Sequence, residues 1–329
     1  MASFSKFGND LYTGARSYNI VGKRKVWYLV AAVLILTAII VPVIRGGFVF
    51  GIEFRGGSQF QVSKTTELSQ SLATKTVQGV VANSNPSVTI IGGNSVRIQT
   101  DQLTDAQTVK IQSALATAYH VKVKQVTTSF IGATWGQDIT RQAITGLIVF
   151  VLLAGVVMAL YFRTWKMSFS AIVALLHDLV ITAGFYGILG FEVTPAAVIG
   201  FLTILGYSLY DTVVVFDKIR ENTAEDGPES HRTFSESVNY AVNQTLVRSI
   251  NTSVVAILPV AAILFIGALL LGAGTLRDIS LALFIGILVG TYSTIFIAAP
   301  LYAQLRSYDE PVKKQDKRIL SARQASLVK

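Results

Sequence analysis

The chain has 329 residues, of which 51% are hydrophobic and only 14% charged. Soluble domains carry about a quarter charged residues, so this composition excludes an ordinary soluble domain and indicates a membrane protein. The absence of cysteine excludes disulfides and thiolate metal sites. The net charge of +9 is concentrated beside apolar runs and in the carboxy-terminal tail, which is typical of membrane flanks and argues against a nucleic-acid partner.

Six apolar runs are each long enough to cross a bilayer, which takes about 20 helical residues. The predicted membrane-spanning helices are 26–44, 142–162, 168–191, 195–217, 249–271 and 278–303. The first run is longer than the core of a typical signal peptide and is preceded by 25 residues, so we interpret it as a span.

The distribution of basic residues predicts the orientation of these helices. With both termini in the cytoplasm, 18 of the 28 Lys and Arg lie on that side. They belong to the segment 1–25, the turn 163–166, the loop 218–248 and the tail 304–329. We therefore predict an even number of crossings with both ends cytoplasmic.

The segment 45–141 separates the first two spans and is predicted to form a domain outside the cytoplasm, on the periplasmic side. Its pattern is a strand (VFGIEFRGGSQFQV) broken at Gly-Gly, a helix, two strands around a GGN hairpin turn, a helix capped by Thr104, and a last strand. The order β-α-β-β-α-β predicts a ferredoxin-like module. The predicted fold class is a multi-pass α-helical membrane protein with six transmembrane helices and one extracytoplasmic α+β (ferredoxin-like) domain.

The loop 218–248 contains a predicted amphipathic helix. Thr233 and Glu236 fit a capping box at its start. Four apolar side chains then share one helical face: Phe234, Val238, Ala241 and Val242. We predict that this helix lies on the cytoplasmic membrane surface and leads into the fifth span.

Asp211 is an ionisable residue inside the fourth span, about 10 Å from the boundary marked by Lys218. A charge at the centre of a membrane helix costs about 2.5–3.5 kcal/mol on insertion scales, so such a residue normally faces a partner or water. Arg248, where the fifth span begins, is the predicted partner. It belongs to a polar helical stripe formed by Gln244, Arg248, Asn251 and Thr252.

Other polar residues are predicted to support this pair. Tyr207 and Ser208 share a helical face with Asp211, and His177 with Asp178 forms a second ionisable pair about 15 Å deep in the third span. Polar bridges also serve as packing contacts between membrane helices, so a structural role stays open, above all for His177 and Asp178. A carboxyl group placed between burial and an arginine charge can take up and release a proton, because the arginine stays charged.

Three motifs in this order resemble the SecD/SecF family of protein translocase subunits: GIEFRGGS after the first span, GYSLYDTVVVFDKIREN in the fourth and TLVRSINTS at the fifth. The resemblance covers nearly the whole chain, and the small outer domain is similar to the SecF branch rather than to its larger paralogue SecD. The resemblance implies a subunit of the bacterial cytoplasmic (inner) membrane, within the resistance-nodulation-division superfamily.

The same resemblance implies partners and a mechanism. The implied partners are SecD, the SecYEG channel, indirectly SecA, accessory proteins of the YajC and YidC type, and the unfolded polypeptide in transit. The implied activity uses the proton or sodium gradient to drive late translocation steps that do not need ATP. By motif position, Asp211 and Arg248 are the implied coupling pair, and His177 with Asp178 matches the "HD" of the third span.

The family motif after the first span falls on Gly51, Glu53, Phe54, Gly56 and Gly57. Glu53 stands where the family often has Asp, and Arg55 where a small polar residue is common. Tyr210 stands where Asn usually precedes the aspartate, which leaves open whether the coupling ion is a proton or sodium.

Two other functions stay open: a scaffold that stabilises the channel complex, and a half-transporter for a small molecule or lipid. An enzyme is disfavoured, because the chain has only three histidines and no P-loop, nucleophile elbow or metal-spaced cluster. We therefore predict no catalytic residue, no cofactor and no metal site.

Overall fold

The computed structural model of the protein describes residues 2–91, 93–224, 231–270 and 274–327. Within these ranges six helices are long and apolar enough to cross a membrane, as predicted. They are α2 (Arg24–Ile44), α6 (Ala133–Phe162), α7 (Trp165–Leu189), α8 (Pro195–Ala224), α9 (Phe234–Ala262) and α10 (Gly274–Ser293). The end of the bundle at which the first helix of the chain packs against α9 is here named the terminal side, and the opposite end, which carries the outer domain, is named the domain side.

Several helices extend beyond the predicted spans. Helix α9 continues in π geometry over Ile263–Leu270, and α10 continues through a π segment (Thr294–Ala298) into α11 (Ala299–Arg306). Helix α6 begins nine residues before its predicted span, on the domain side. The predicted end of the fifth span at residue 271 lies outside the described residues, as does most of the connection to the sixth.

The terminal side carries two further helices, α1 (Ala2–Thr13) and α12 (Glu310–Leu327). Helix α1 packs against α9. In α12 the guanidinium of Arg323 donates to both carboxylate oxygens of Glu236, at 2.8 and 2.7 Å. These contacts cover the start of α9 with other parts of the same chain.

The predicted surface helix is part of α9. Its capping box is confirmed: Thr233 Oγ1 accepts from the Glu236 amide at 3.4 Å, and Glu236 Oε2 accepts from the Thr233 amide at 2.8 Å. The predicted position on the membrane surface is wrong. The apolar face is buried in a cluster with Ile219 of α8, Tyr302 of α11 and Val312 of α12, so it is covered by protein rather than by lipid.

Small residues let the membrane helices approach closely. Helix α10 lies at the centre and contacts α7, α8 and α9. A Cβ at Gly286 of α10 would lie 2.3 Å from the Ile204 side chain, and one at Gly290 would lie 3.1 Å from Ser208 Cβ. These two glycines, four residues apart, form a small-xxx-small packing face.

The outer domain has the predicted element order. It consists of β2 (Gly57–Ser63), α4 (Gln70–Val80), β3 (Ser87–Ile91), β4 (Ser95–Thr100), α5 (Asp105–Ala118) and β5 (Val126–Ile131). The antiparallel sheet order is β3-β4-β2-β5, the ferredoxin-like arrangement. The two helices and the sheet enclose one apolar core that includes Phe60, Ile98 and Leu115. Thr104 caps α5 as predicted, whereas Gly92 of the hairpin turn lies outside the described residues.

The segment predicted as the first strand contains a helical turn in addition to the predicted glycine break. It consists of β1 (Val49–Phe50), a single helical turn α3 (Ile52–Arg55), and then β2. Gly56 and Gly57 adopt φ of 78° and 147°, which favour glycine, and return the chain to the sheet. Strand β1 pairs in parallel with β6 (Glu192–Val193), between α7 and α8. This pairing joins the outer domain to the helix bundle.

Candidate functional site

Asp211 is buried on α8 at the contact with α9. Only 5% of the residue is exposed. Its Oδ1 accepts a hydrogen bond of 2.8 Å from Ser249 Oγ, and its Oδ2 is buried without a hydrogen-bond partner among the described residues. One carboxyl oxygen is therefore held by α9, and the other is free to bind a proton.

Arg248 is not the direct partner of Asp211 in this conformation. The residue is exposed and forms no ion pair with any Asp or Glu that the structure describes. Successive residues of an α-helix point about 100° apart, and on α9 it is Ser249 that faces α8. The role of the predicted pair therefore stays a prediction that requires α9 to turn or Arg248 to fold back.

The other residues of the predicted polar stripe on α9 are exposed or form hydrogen bonds with groups other than Asp211. Gln244 Oε1 accepts from Asn222 Nδ2 at 2.9 Å, and its Nε2 donates to the carbonyl of Tyr12 at 3.1 Å. Thr252 donates to the carbonyl of Arg248, and Asn251 is exposed. These hydrogen bonds therefore connect the stripe to neighbouring segments and not to the buried carboxyl group.

A second row of hydroxyl groups on α9 faces the bundle instead. Ser253, one turn beyond Ser249, donates to the Ser249 carbonyl at 2.9 Å and shares a hydrogen bond with Thr291 of α10. Tyr207 donates to Ser253 at 3.4 Å, so this tyrosine belongs to the row. Its predicted support of Asp211 stays a prediction. Ser249 and Ser253 were not among the residues predicted for the site, although their spacing of four residues is itself a helical signal.

Asp178 forms a separate buried centre. It is 0% exposed, its Oδ2 accepts from Ser208 Oγ at 2.6 Å, and its Oδ1 lies 3.2 Å from Nδ1 of His177. Ser208 thus contacts Asp178, not Asp211, contrary to the expected grouping. Of the three buried aspartates among the described residues of the bundle, Asp178 and Asp211 each accept a hydrogen bond from a serine of a neighbouring helix, and Asp278 accepts one from Thr194.

The motif glutamate Glu53 lies at the joint between the domain and the bundle. A Cβ at Gly51 would lie 2.3 Å from Glu53 Oε2 and 3.5 Å from Glu192 Oε1, so both carboxyl groups crowd this glycine. Both oxygens are buried without a hydrogen-bond partner among the described residues. Burial, and then the charge of Glu53, raise the pKa of Glu192, while Arg97 opposes the shift.

The remaining motif residues shape the same joint. Phe54 presents its carbonyl to α6, where a Cβ at Gly136 would lie 2.5 Å from that oxygen. A Cβ at Gly57 would lie 2.4 Å from the Thr100 carbonyl oxygen. The motif therefore fits a close backbone crossing between the domain and α6.

The joint is expected to weaken as the pH rises. Because the pKa of Glu192 is raised in the folded protein, the folded state binds this proton more tightly than the unfolded state does. The resulting stabilisation is complete below the ordinary glutamate pKa of about 4.3 and is lost as the pH passes through the raised value. Glu192→Gln should therefore raise the melting temperature at neutral pH and flatten its dependence on pH, measured in detergent from pH 4 to 8. Exposed Glu67→Gln is the control, and identical profiles for wild type and Glu192→Gln would contradict the assignment.

Among the described residues, no three His, Asp or Glu side chains lie close enough together to hold a metal ion. The fold and the site define a multi-pass membrane protein with buried carboxyl groups in its bundle and one ferredoxin-like domain outside it. Residues 110–308 match the family described as protein export membrane protein SecD/SecF, C-terminal. The chain belongs to the SecF family of protein translocase subunits.

Individual relatives support this assignment. The chain is 43% identical to the protein translocase subunit SecF of Streptomyces coelicolor, over 98% of this chain and 86% of that one. It is 42% identical to SecF of Mycobacterium tuberculosis, over 96% of this chain and 73% of that one. The crystal structure of SecDF from Thermus thermophilus, a translocon-associated membrane protein, superposes with a TM-score of 0.77 and 28% identity, covering 89% of this chain and 39% of that chain.

Proposed function

We propose that this chain is the SecF subunit of an ion-driven complex that promotes late steps of protein translocation through the SecYEG channel. Asp211 binds and releases the driving ion, and the resulting movement of the bundle shifts the outer domain, which acts on the polypeptide in transit. The observation that carries this proposal is the buried Oδ2 of Asp211, which lacks a hydrogen-bond partner among the described residues.

The surroundings of Asp211 suit a switch between two arrangements. With Arg248 exposed and Ser249 as donor, the site matches a protonated acid, because a buried ionised carboxylate needs a counter-ion. Loss of the proton favours an arrangement in which Arg248 or water reaches the carboxylate. An ion that crosses the membrane releases about 2.3 kcal/mol per charge per 100 mV, enough to shift an equilibrium between two helix arrangements.

A partner subunit fits the exposed face of α8 and α9. This face carries Arg248 and Asn251, and Tyr210 is 57% exposed there. Polar groups at membrane depth normally face a protein partner or water. The matched part makes up 39% of SecDF from Thermus thermophilus, where it shares one chain with the rest of that protein, which supports SecD as the proposed partner.

The proposed location is the bacterial cytoplasmic membrane, with the terminal side in the cytoplasm. That side carries 18 of the 28 Lys and Arg, as the positive-inside rule requires. The outer domain then meets the polypeptide after it leaves the channel. SecA and accessory proteins of the YajC and YidC type act in the same assembly, and ATP hydrolysis belongs to SecA.

Asp211→Asn tests the proposal, since asparagine keeps the acceptor for Ser249 but cannot ionise. Vesicles with the complete complex should export a preprotein at the wild-type rate in the ATP-dependent phase. The gradient-dependent phase should slow about tenfold or more, within the usual range of coupling free energies. Imposing a proton or a sodium gradient separately identifies the ion.

The matched control is Glu221→Gln on the same helix, whose side chain is 60% exposed. It removes a charge without touching the buried site and should export normally. Normal gradient-dependent export by Asp211→Asn would favour a scaffold role for the subunit instead.

A further inference from the structure

A groove on the terminal side of the bundle opens between α2, α9 and α10. Its cavity volume is about 670 Å³. The walls are almost entirely apolar and include Trp27, Leu246, Ile250, Ile257, Leu288 and Phe296. The indole of Trp27 is fixed in the wall, because its Nε1 donates to the Ile20 carbonyl at 3.1 Å and its ring lies 4.3 Å from that of Phe296.

The groove matches one leaflet of a bilayer in length and depth. Along α9 it runs from Leu246 to Ile257, about 16 Å at 1.5 Å per residue. One leaflet contributes half of a hydrocarbon core about 30 Å thick. The exposed Lys23 lines its terminal-side end and is followed by Arg24 and Lys25, so positive charge lies at the level of the lipid headgroups.

The charge of the groove favours lipid over a partner's transmembrane segment. Its walls are apolar along α9 and α10, and Lys23 lines its terminal-side end. A phospholipid has the same arrangement, with apolar chains below an anionic headgroup that basic residues attract.

We propose that this groove binds the acyl part of one anionic phospholipid from the terminal-side leaflet, with its headgroup at Lys23. The bound chains lie against the hydrogen-bonded hydroxyl groups of Ser253 and Thr291, which form part of the groove wall. Behind them, Ser253 contacts the Ser249 carbonyl, and Ser249 donates to Asp211. The lipid thus excludes water from this flank of the buried carboxyl group. The site does not depend on the proposed function.

The fluorescence of Trp27 tests the site directly. The chain has three tryptophans, so Trp135→Phe with Trp165→Phe leaves Trp27 as the one fluorophore of this kind. The full chain, alone and assembled with its partner subunit, is reconstituted in phosphatidylcholine with a small fraction of brominated lipid. We expect brominated phosphatidylglycerol to quench Trp27 about twofold more than the same fraction of brominated phosphatidylcholine, because basic residues attract anionic headgroups. Lys23→Gln should remove this preference while leaving the melting temperature unchanged.

The matched control measures how strongly lipid that surrounds the bundle quenches an indole outside the groove. Leu29 is 65% exposed on the same helix, so Leu29→Trp in a Trp27→Phe background introduces an indole on the outer surface. This indole should be quenched equally by both brominated lipids. Three results would overturn the proposal: no quenching of Trp27, no headgroup preference at Trp27, or loss of quenching in the assembled complex, which would show that protein fills the groove.

Discussion

A Gly184→Val variant is expected to be clearly less stable than the wild type, because α2 and α7 cross at direct backbone contact at this residue. A Cβ at Gly184 would lie 2.3 Å from Ala38 Cβ and 2.7 Å from Ala38 Cα. Since one of these is a backbone atom, α2 must move as a whole. One turn further, Gly187 meets Pro42 in the same way, with a Cβ position 2.5 Å from Cγ.

The expected cost lies at the upper end of the range for overpacking, about 1–3 kcal/mol, because valine is branched at Cβ. The melting temperature in detergent should fall by on the order of 5 °C. The control is Gly146→Val on α6, where nothing lies within 4 Å of the Cβ position. Removing that flexible glycine should be neutral or slightly stabilising. Equal melting of the two variants would show that the crossing tolerates a wider separation.

Features of the fold that depend on neighbouring residues could be predicted from the sequence. The helix cap at Thr104 and the capping box at Thr233 are confirmed because each depends only on residues within one turn of the helix. The order of the strands and helices in the outer domain follows from apolar periodicity, and short connections leave few sheet arrangements. Six apolar runs predicted six spans because hydrocarbon requires long helices.

Features that depend on distant contacts could not be predicted. The two-residue pairing of β1 with β6 joins segments 143 residues apart, and no pattern in the neighbouring sequence predicts it. The apolar face of Val238 and Val242 is equally suited to lipid or protein, and only the folded chain shows that α11 and α12 cover it. Amphipathicity defines which side of a helix is apolar but not what it contacts.

The candidate site, too, could be predicted only in part from the sequence. The sequence indicates that Asp211 faces the start of the fifth span, because a charge at that depth needs a polar neighbour. It does not determine how far α9 is rotated. Ser249 and Arg248 are adjacent in sequence, yet one is buried against Asp211 and the other is exposed. A shift of one residue corresponds to about 100° of rotation about the helix axis. At this position it would replace the neutral hydroxyl of Ser249 by the charged guanidinium of Arg248 beside Asp211.

Asp178 and Asp211 are expected to respond differently to replacement by asparagine. Both oxygens of Asp178 are engaged, one by Ser208 and one by His177, whereas Oδ2 of Asp211 lacks a partner among the described residues. Asp178→Asn should therefore fold and retain most gradient-dependent export. The amide oxygen can still accept from Ser208, and the amide nitrogen can donate to Nδ1 of a neutral imidazole.

Asp178→Ala, in contrast, should lose folded protein. It leaves Ser208 and His177 without their acceptor at a position that is 0% exposed and bridges α7, α8 and the glycine face of α10. Each unsatisfied buried group costs about 1–3 kcal/mol, and the cavity beside Gly290 adds to this. The yield of monodisperse protein and its melting temperature measure the loss. Export assays on Asp178→Asn separate packing from coupling: a well-folded variant that no longer responds to the gradient would place Asp178 with Asp211 on the path of the ion.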